Sequence, residues 1–200
     1  MIPHGYLAHH GVKGQKWGVR RYQNYDGTRI KDKYSADKVV KKGHIFERVY
    51  TEKAQKDNDS YKNKRLYVSD SAYGYLNDYF INDPDKIRIQ QYKTVKKMIF
   101  AGEDSCNKIL KEIGQKPLLP TFDEQGNYFK GDYSKFTDRD FLMKNAEIGE
   151  KFIKKALEKG YSGVRDPVDD LGISFDTSAK IIFDFKDLKK VKTSRLDEYM

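Results

Sequence analysis

The sequence lacks the features that mark a secreted or membrane-anchored protein. Cys106 is the only cysteine among 200 residues, so an internal disulfide is excluded and a reducing compartment is the simplest interpretation. The apolar runs are a few residues long, whereas a membrane-spanning helix needs ~20. The N-terminus has neither the charged start nor the apolar centre of a signal peptide. We therefore expect an intracellular, cytoplasmic protein with no membrane partner.

Apolar residues are also scarce. The hydrophobic fraction is 38%, the charged fraction is 34%, and aromatic residues make up 14% of the chain. Tyrosine and phenylalanine rings must then supply much of the core. The length suits one domain of ordinary size.

Thiol and metal chemistry have little support. No base lies near Cys106 in the sequence to activate its thiol. His4, His9 and His10 have no cysteine or carboxylate at ligand spacing, so we predict no metal site.

Positive charge is concentrated near the N-terminus. Residues 1–50 hold eleven Lys or Arg against four acids, a balance of +7 out of a total of +9. Such a cluster favours contact with nucleic acid or another anionic surface, because bound phosphates release counterions. A solvated leader without a partner is the alternative.

The densest part of this leader runs from Leu7 to Tyr22. Three glycines disfavour a stable helix, and cations alternate with rings, which predicts a docking surface formed by Lys13, Lys16, Trp17, Arg20 and Arg21. The stretch resembles a His-x-Gly-Val-Lys-Gly-Met-Lys-Trp-Gly-Val-Arg-Arg segment of phage and prophage proteins from Gram-positive bacteria, with Gln15 where Met is usual. The resemblance implies a phage origin and a host protein or phage head component as partner.

The chain after residue 42 has the pattern of a folded domain. Alternating and apolar runs predict strands at 44–51, 65–69, 87–100, 161–165 and 180–185. Helical spacing predicts a turn or helix at 70–80, a short helix capped by Asp104 or Ser105 and ended by Gly114, and a long helix from 137 or 138 to Gly160. We expect three parts: a partly flexible leader (1–42), an α+β domain (43–190) and a charged tail (191–200).

Polar groups on apolar elements mark the candidate chemistry. Arg48 shares a strand face with Phe46 and Tyr50, where an unpaired charge is costly. Ser69 ends the second strand, and a loop with Asp166, Asp169 and Asp170 follows a later one. Glu47 and Arg165 are available as ion-pair partners. A purely structural salt bridge, turn and solvated loop would explain the same residues.

The order of these elements resembles the ADP-ribosyltransferase fold, in which a split mixed or antiparallel sheet is flanked by helices. The likeness rests on five segments in the same order, whose residues are 43–50, 65–70, 92–101, 157–164 and 181–188. They are similar to phage-encoded transferase-like proteins.

The resemblance implies NAD as co-substrate and specific roles for several residues. Arg48 would bind the NAD phosphates or ribose, and Ser69, with Tyr67 beside it, would support the nicotinamide pocket. Tyr73 or Tyr75 would stack on the nicotinamide. A late Glu would stabilise the positive charge that develops on the ribose.

The sequence departs from this pattern at the late Glu. Ser178, Ala179 and Lys180 stand there, so a carboxylate would have to come from Asp166, Asp169, Asp170 or Asp176. Three hypotheses remain: a mono-ADP-ribosyltransferase that modifies a host macromolecule, an inactive phage protein that inhibits a host defence or is carried with the virion, and a nucleic-acid binder that acts through its leader.

Overall fold

The computed structural model describes residues 22–30, 36–51, 65–72, 84–116, 146–166 and 179–199, and the findings below concern these residues. The strands in chain order are β1 (Tyr22–Gln23), β2 (Arg29–Ile30), β3 (Lys38–Val40), β4 (Ile45–Thr51), β5 (Leu66–Val68), β6 (Ile87–Thr94), β7 (Met98–Ala101), β8 (Gly163–Asp166), β9 (Ala179–Ile182) and β10 (Leu188–Arg195). The helices are α1 (Glu103–Glu112) and α2 (Ala146–Glu158), with short 3-10 turns at Pro84–Lys86 and Phe185–Asp187.

The strands form a hairpin and two larger sheets. β1 pairs with β2, and an antiparallel three-stranded sheet has the order β10-β6-β4. The five-stranded sheet has the order β3-β7-β8-β9-β5, in which only the β7–β8 pair is parallel among the pairs described. Helices and mixed sheets together confirm the α+β class.

Two apolar clusters arrange these elements in layers. One lies between the two sheets and includes Phe46 from β4, Val68 from β5, and Met98 and Phe100 from β7. The other lies between the five-stranded sheet and the helices and includes Ile109, Phe152 and Phe183. The order of layers is therefore three-stranded sheet, five-stranded sheet, helices. Rings occupy central positions in both clusters, as the composition predicts.

Most predicted strands are found within a few residues of their expected bounds, but the run 87–100 is not one strand. It forms β6 and β7, separated by a turn at residues 95–97. The Val95 amide donates to the Asp187 carbonyl at 2.9 Å, and the Lys96 ammonium pairs with the Asp187 carboxylate at 2.9 Å. The turn is therefore held by a distant residue, which local propensity cannot indicate.

The helix ends differ in how well they were predicted. Gly114 and Gly160 follow the two helices with positive φ, as the sequence predicts. Helix α1 begins earlier, after Gly102, and no side chain caps it. Asp104 and Ser105 lie within its first turn, where Asp104 accepts from the Asn24 amide group at 2.7 Å and the Ser105 hydroxyl is hydrogen bonded to the Tyr161 hydroxyl oxygen at 3.0 Å. The predicted start of the long helix, and residues 73–80, lie outside the described residues.

Residues on both sides of the predicted domain boundaries take part in the sheets. β3 precedes residue 42 and pairs with β7, and β10 continues past residue 190 to Arg195. The hairpin is also attached to the body. Asp37 accepts from the Tyr25 amide at 2.7 Å, the Gly102 amide at 2.9 Å and the Tyr161 hydroxyl at 3.0 Å.

Candidate functional site

Among the residues that the structure describes, the two sheets meet at one bridge, between β4 and the end of β5. The Glu47 amide donates to the Ser69 carbonyl at 2.9 Å, and the Ser69 amide donates to the Glu47 carbonyl at 2.8 Å. β4 is an edge strand of its sheet and β5 is an edge strand of the other. We call this meeting point, with the side chains around it, the junction.

The side chains of β4 alternate between two faces at the junction. Phe46 and Arg48 lie on the face that looks toward the five-stranded sheet, because Phe46 belongs to the cluster between the sheets. Glu47 lies on the opposite face together with Ser69, its directly opposed partner. The junction therefore has an Arg48 face and a Glu47 face.

Arg48 is half-buried among tyrosines. Its guanidinium lies 5.1 Å from the centre of the Tyr50 ring and forms a hydrogen bond with the Tyr92 hydroxyl. Burial lowers the pKa of Arg48 and raises the pKa of Tyr92, and the bond between the two groups opposes both shifts. This arrangement presents a cation between two rings, a combination suited to a phosphate or a flat charged group.

A second group on the Arg48 face joins three strands. Lys180 on β9 is fully buried, and its ammonium lies 2.9 Å from an Asp70 carboxylate oxygen. The other Asp70 oxygen lies 2.9 Å from Nε2 of His44, just before β4. The Phe46 ring is in contact with both partners of Asp70, 5.4 Å from the Lys180 ammonium and edge-to-face with the His44 ring at 4.6 Å. Asp70 thus ties β4, β5 and β9 together.

The Glu47 face carries a buried carboxylate with several donors. Its Oε2 atom accepts from the Ala72 amide at 2.7 Å and from the Tyr199 hydroxyl, and its Oε1 atom accepts from the Gln91 amide group at 2.8 Å. Burial, and then the bond to Glu47, raise the pKa of Tyr199 to about 12. The turn after β10, which contains Tyr199, therefore reaches across β6 to the junction.

The structure brings Arg48 and Ser69 onto neighbouring strands but directs their side chains to opposite faces. The Ser69 hydroxyl is buried and donates to the Ser71 carbonyl at 2.7 Å, so it organises the turn after β5. Tyr67 shares the face of Ser69 and has 39% of its surface exposed. A pocket that uses Arg48 and Ser69 together would have to extend around the end of β5.

Several predicted site residues cannot be placed. The Asp166 backbone pairs with Ala179 at the end of β8, but its side chain lies outside the described part of the structure. The same holds entirely for Asp169, Asp170, Asp176, Tyr73 and Tyr75, and for the leader residues Lys13, Lys16, Trp17, Arg20 and Arg21.

Glu47 and Arg165, proposed from the sequence as ion-pair partners, have other contacts. Glu47 accepts the three bonds given above, and Arg165 donates to the Ala36 carbonyl at 2.7 Å, just before β3. The sequence did contain a signal for Lys180, a charge inside an otherwise apolar strand like that of Arg48. It contained none for Tyr199, whose contact with Glu47 spans 152 residues of chain.

Neither helix among the described residues is long and apolar enough to cross a membrane. Within the same residues, no three His, Cys, Asp or Glu side chains come together as metal ligands would.

The comparisons with known proteins concern mainly the leader. The model of a family of unknown function, DUF7211, matches residues 3–24. That match ends at Asn24, which is buried and hydrogen bonded to Asp104 and Asp37. No curated protein and no solved structure matches the chain.

Proposed function

We propose that this chain is a phage-encoded mono-ADP-ribosyltransferase-like protein that binds NAD at the junction and uses it to modify a host macromolecule. The observation that supports the proposal is the Arg48 guanidinium, half-buried between Tyr92 and Tyr50 beside the strand that ends in Ser69. A guanidinium binds pyrophosphate oxygens in a bidentate manner.

In such a transfer the bond between the ribose anomeric carbon and the nicotinamide nitrogen breaks, and nicotinamide leaves with the electron pair. The acceptor then forms a bond to the same carbon and loses its proton. A carboxylate near the ribose would lower the barrier, because positive charge develops there. The candidates for this role are the carboxylates of Asp166, Asp169, Asp170 and Asp176.

Binding without transfer is the second candidate, and Lys180 favours it. This lysine stands where the resemblance leads one to expect the late Glu, and it is fully buried and paired with Asp70. An ammonium at that position would oppose positive charge on the ribose. The protein would then act by holding a host protein or a phage head component, with the leader as the docking segment.

The two candidates separate in one experiment that measures NAD binding and NAD turnover independently. The full-length protein, its Arg48→Ala and Asp169→Ala variants, and Arg29→Ala as control are incubated with labelled NAD and bacterial lysate. Arg29 lies exposed on β2, so the control removes the same charge away from the junction.

Label on a lysate component that persists in the control but is lost in both other variants would support the transferase. NAD binding lost in Arg48→Ala, without turnover by any form, would establish the second candidate. A wild-type protein that neither binds nor cleaves NAD would exclude the transferase, and the second candidate would then rest on binding of a host protein or phage head component alone.

A further inference from the structure

A group of lysines lies on two adjoining turns at one end of the sheets. Lys41 and Lys42 lie in the turn between β3 and β4, Lys93 near the end of β6, and Lys96 and Lys97 in the turn between β6 and β7. All five are exposed. We call these residues the basic turn cluster.

The two turns are held together by hydrogen bonds around buried Thr94. The Thr94 hydroxyl donates to the Lys41 carbonyl at 2.9 Å and accepts from the His44 amide at 3.0 Å, while the Gly43 amide donates to the Thr94 carbonyl at 2.9 Å. The Lys93 side chain passes close to Gly43. The backbone that carries these lysines is therefore fixed by hydrogen bonds, which lowers the entropy lost when the lysines bind a ligand together.

Few carboxylates among the described residues offset this charge. Asp187 is buried and paired with Lys96, and Asp184 pairs with Lys186 in the following 3-10 turn. Val95 is the one large apolar side chain of these two turns that is clearly exposed. The surface is thus rich in cations and poor in apolar area, which fits an anionic ligand in water better than insertion into a lipid layer.

An exposed ring stands at the edge of the cluster. Tyr25 has 51% of its surface exposed, and the Lys97 ammonium lies 5.7 Å from its ring centre. Rings next to cations are what proteins use to stack bases of a single strand while contacting its phosphates.

We propose that the basic turn cluster and Tyr25 form a binding surface for a single-stranded nucleic acid. The lysines contact phosphates, and the Tyr25 ring stacks on a base. This inference concerns a surface separate from Arg48 and does not depend on NAD binding.

The test measures the affinity of the full-length protein for a fluorescent single-stranded oligonucleotide at several salt concentrations. One variant combines Lys41→Gln, Lys42→Gln and Lys97→Gln. The matched control combines Lys151→Gln, Lys154→Gln and Lys192→Gln, exposed lysines outside the two turns, and so changes the net charge equally. Circular dichroism and thermal unfolding check that each variant is folded.

We expect the turn variant to bind at least about ten-fold more weakly at moderate salt, with the slope of log K against log salt reduced by about 2, since each single-strand phosphate contact contributes roughly 0.7. The control should change affinity far less. Equal weakening of both variants would show that net charge alone acts and would overturn the proposal.

Substitution of Tyr25 provides an independent test of the proposal. Tyr25→Ala should weaken binding by about five-fold or more, whereas Tyr25→Phe should bind like the wild type, because it keeps the ring. A Tyr25→Phe variant that binds as weakly as Tyr25→Ala would contradict stacking. Tighter binding of duplex DNA, or of phosphatidylserine vesicles, through the same lysines would also overturn the assignment to a single strand.

Discussion

Glu47 is the residue on which the geometry of the junction depends most. Its backbone holds Ser69, and its carboxylate holds Ala72, Gln91 and Tyr199. The residues after β5, which the proposed nicotinamide pocket would use, are therefore fixed by a side chain to which we assign no contact with NAD. We regard Glu47 as a positioning residue.

Replacement of Glu47 by Gln should destabilise the fold by about 1–3 kcal/mol, because the new amide nitrogen must face a donor in a buried site. Tyr199→Phe removes only one donor and should cost about 0.5–1.5 kcal/mol. Urea unfolding at neutral pH measures both. An E47Q variant as stable as the wild type would show that the network does not hold the junction.

Tyr199 also predicts a pH dependence. Its pKa is about 12 in the folded protein and ordinarily 10.0, so between these values the unfolded chain releases the phenol proton while the folded chain keeps it. The stability that this group contributes is therefore complete below pH 10 and is lost as pH rises toward 12. The difference in unfolding free energy between wild type and Tyr199→Phe should shrink over that interval. A constant difference would argue against the buried contact.

At the level of single elements, the close approach of β8 to β9 requires a glycine at position 163. A Cβ atom there would lie 2.0 Å from the Ile181 carbonyl oxygen on β9. Only glycine allows the two backbones to approach this closely.

Gly163→Ala should therefore destabilise the protein by roughly 3 kcal/mol or more, since a backbone and not a flexible side chain must move. Gly114→Ala is the matched control. Its Cβ would meet open space, so only its positive φ is penalised, by about 1–2 kcal/mol. Thermal unfolding measures the loss of stability in both variants, and equal losses of stability would refute the steric argument.

The elements also show what local sequence can predict. The strand from Ile45 to Thr51 was identified because alternation and branched side chains act locally. The turn at 95–97 was missed because it contains no glycine, proline or asparagine and is held by Asp187. The sequence predicts a charged tail from residue 191, because the lysines of β10 point to solvent, whereas its backbone pairs with β6 as far as Arg195.

The same distinction applies to the junction. The alternation predicts Arg48 on one face with Phe46 and Tyr50, and its guanidinium does lie over the Tyr50 ring. Its hydrogen bond to Tyr92 on β6 depends on strand pairing and is not predicted. Its separation from the Ser69 side chain depends on the β4–β5 bridge, and the role of Asp70 depends on side chains from three strands. Contacts of this kind arise from tertiary packing, which one sequence does not encode locally.

For the molecule as a whole, the shared cluster between the sheets predicts joint unfolding. Phe46 belongs to the three-stranded sheet but packs among residues of the five-stranded sheet, and it has no exposed surface. Its ring lies edge-to-face with Phe100 at 5.8 Å. Removal of the Phe46 ring should therefore destabilise both sheets.

Phe46→Ala should cost about 3–5 kcal/mol and lower hydrogen-exchange protection of the amides in both β6 and β7 to the same extent. Phe152→Ala, which opens the helix-side cluster instead, serves as the comparison. Loss of protection confined to β4, β6 and β10 in the Phe46 variant would show that the sheets unfold as separate units.

The attachment of Asn24 has a mechanical consequence for a protein whose leader we expect to be fastened to a partner. Tension on the residues before Tyr22 first reaches the Asn24 side chain and the two-residue pairing of β1 with β2. Only then does it reach β3 at the edge of the five-stranded sheet. These first bonds are few, so the hairpin would peel away before the sheets. Residues 22–35 would then lengthen the tether by up to about 50 Å. The junction would remain folded at the end of a longer arm.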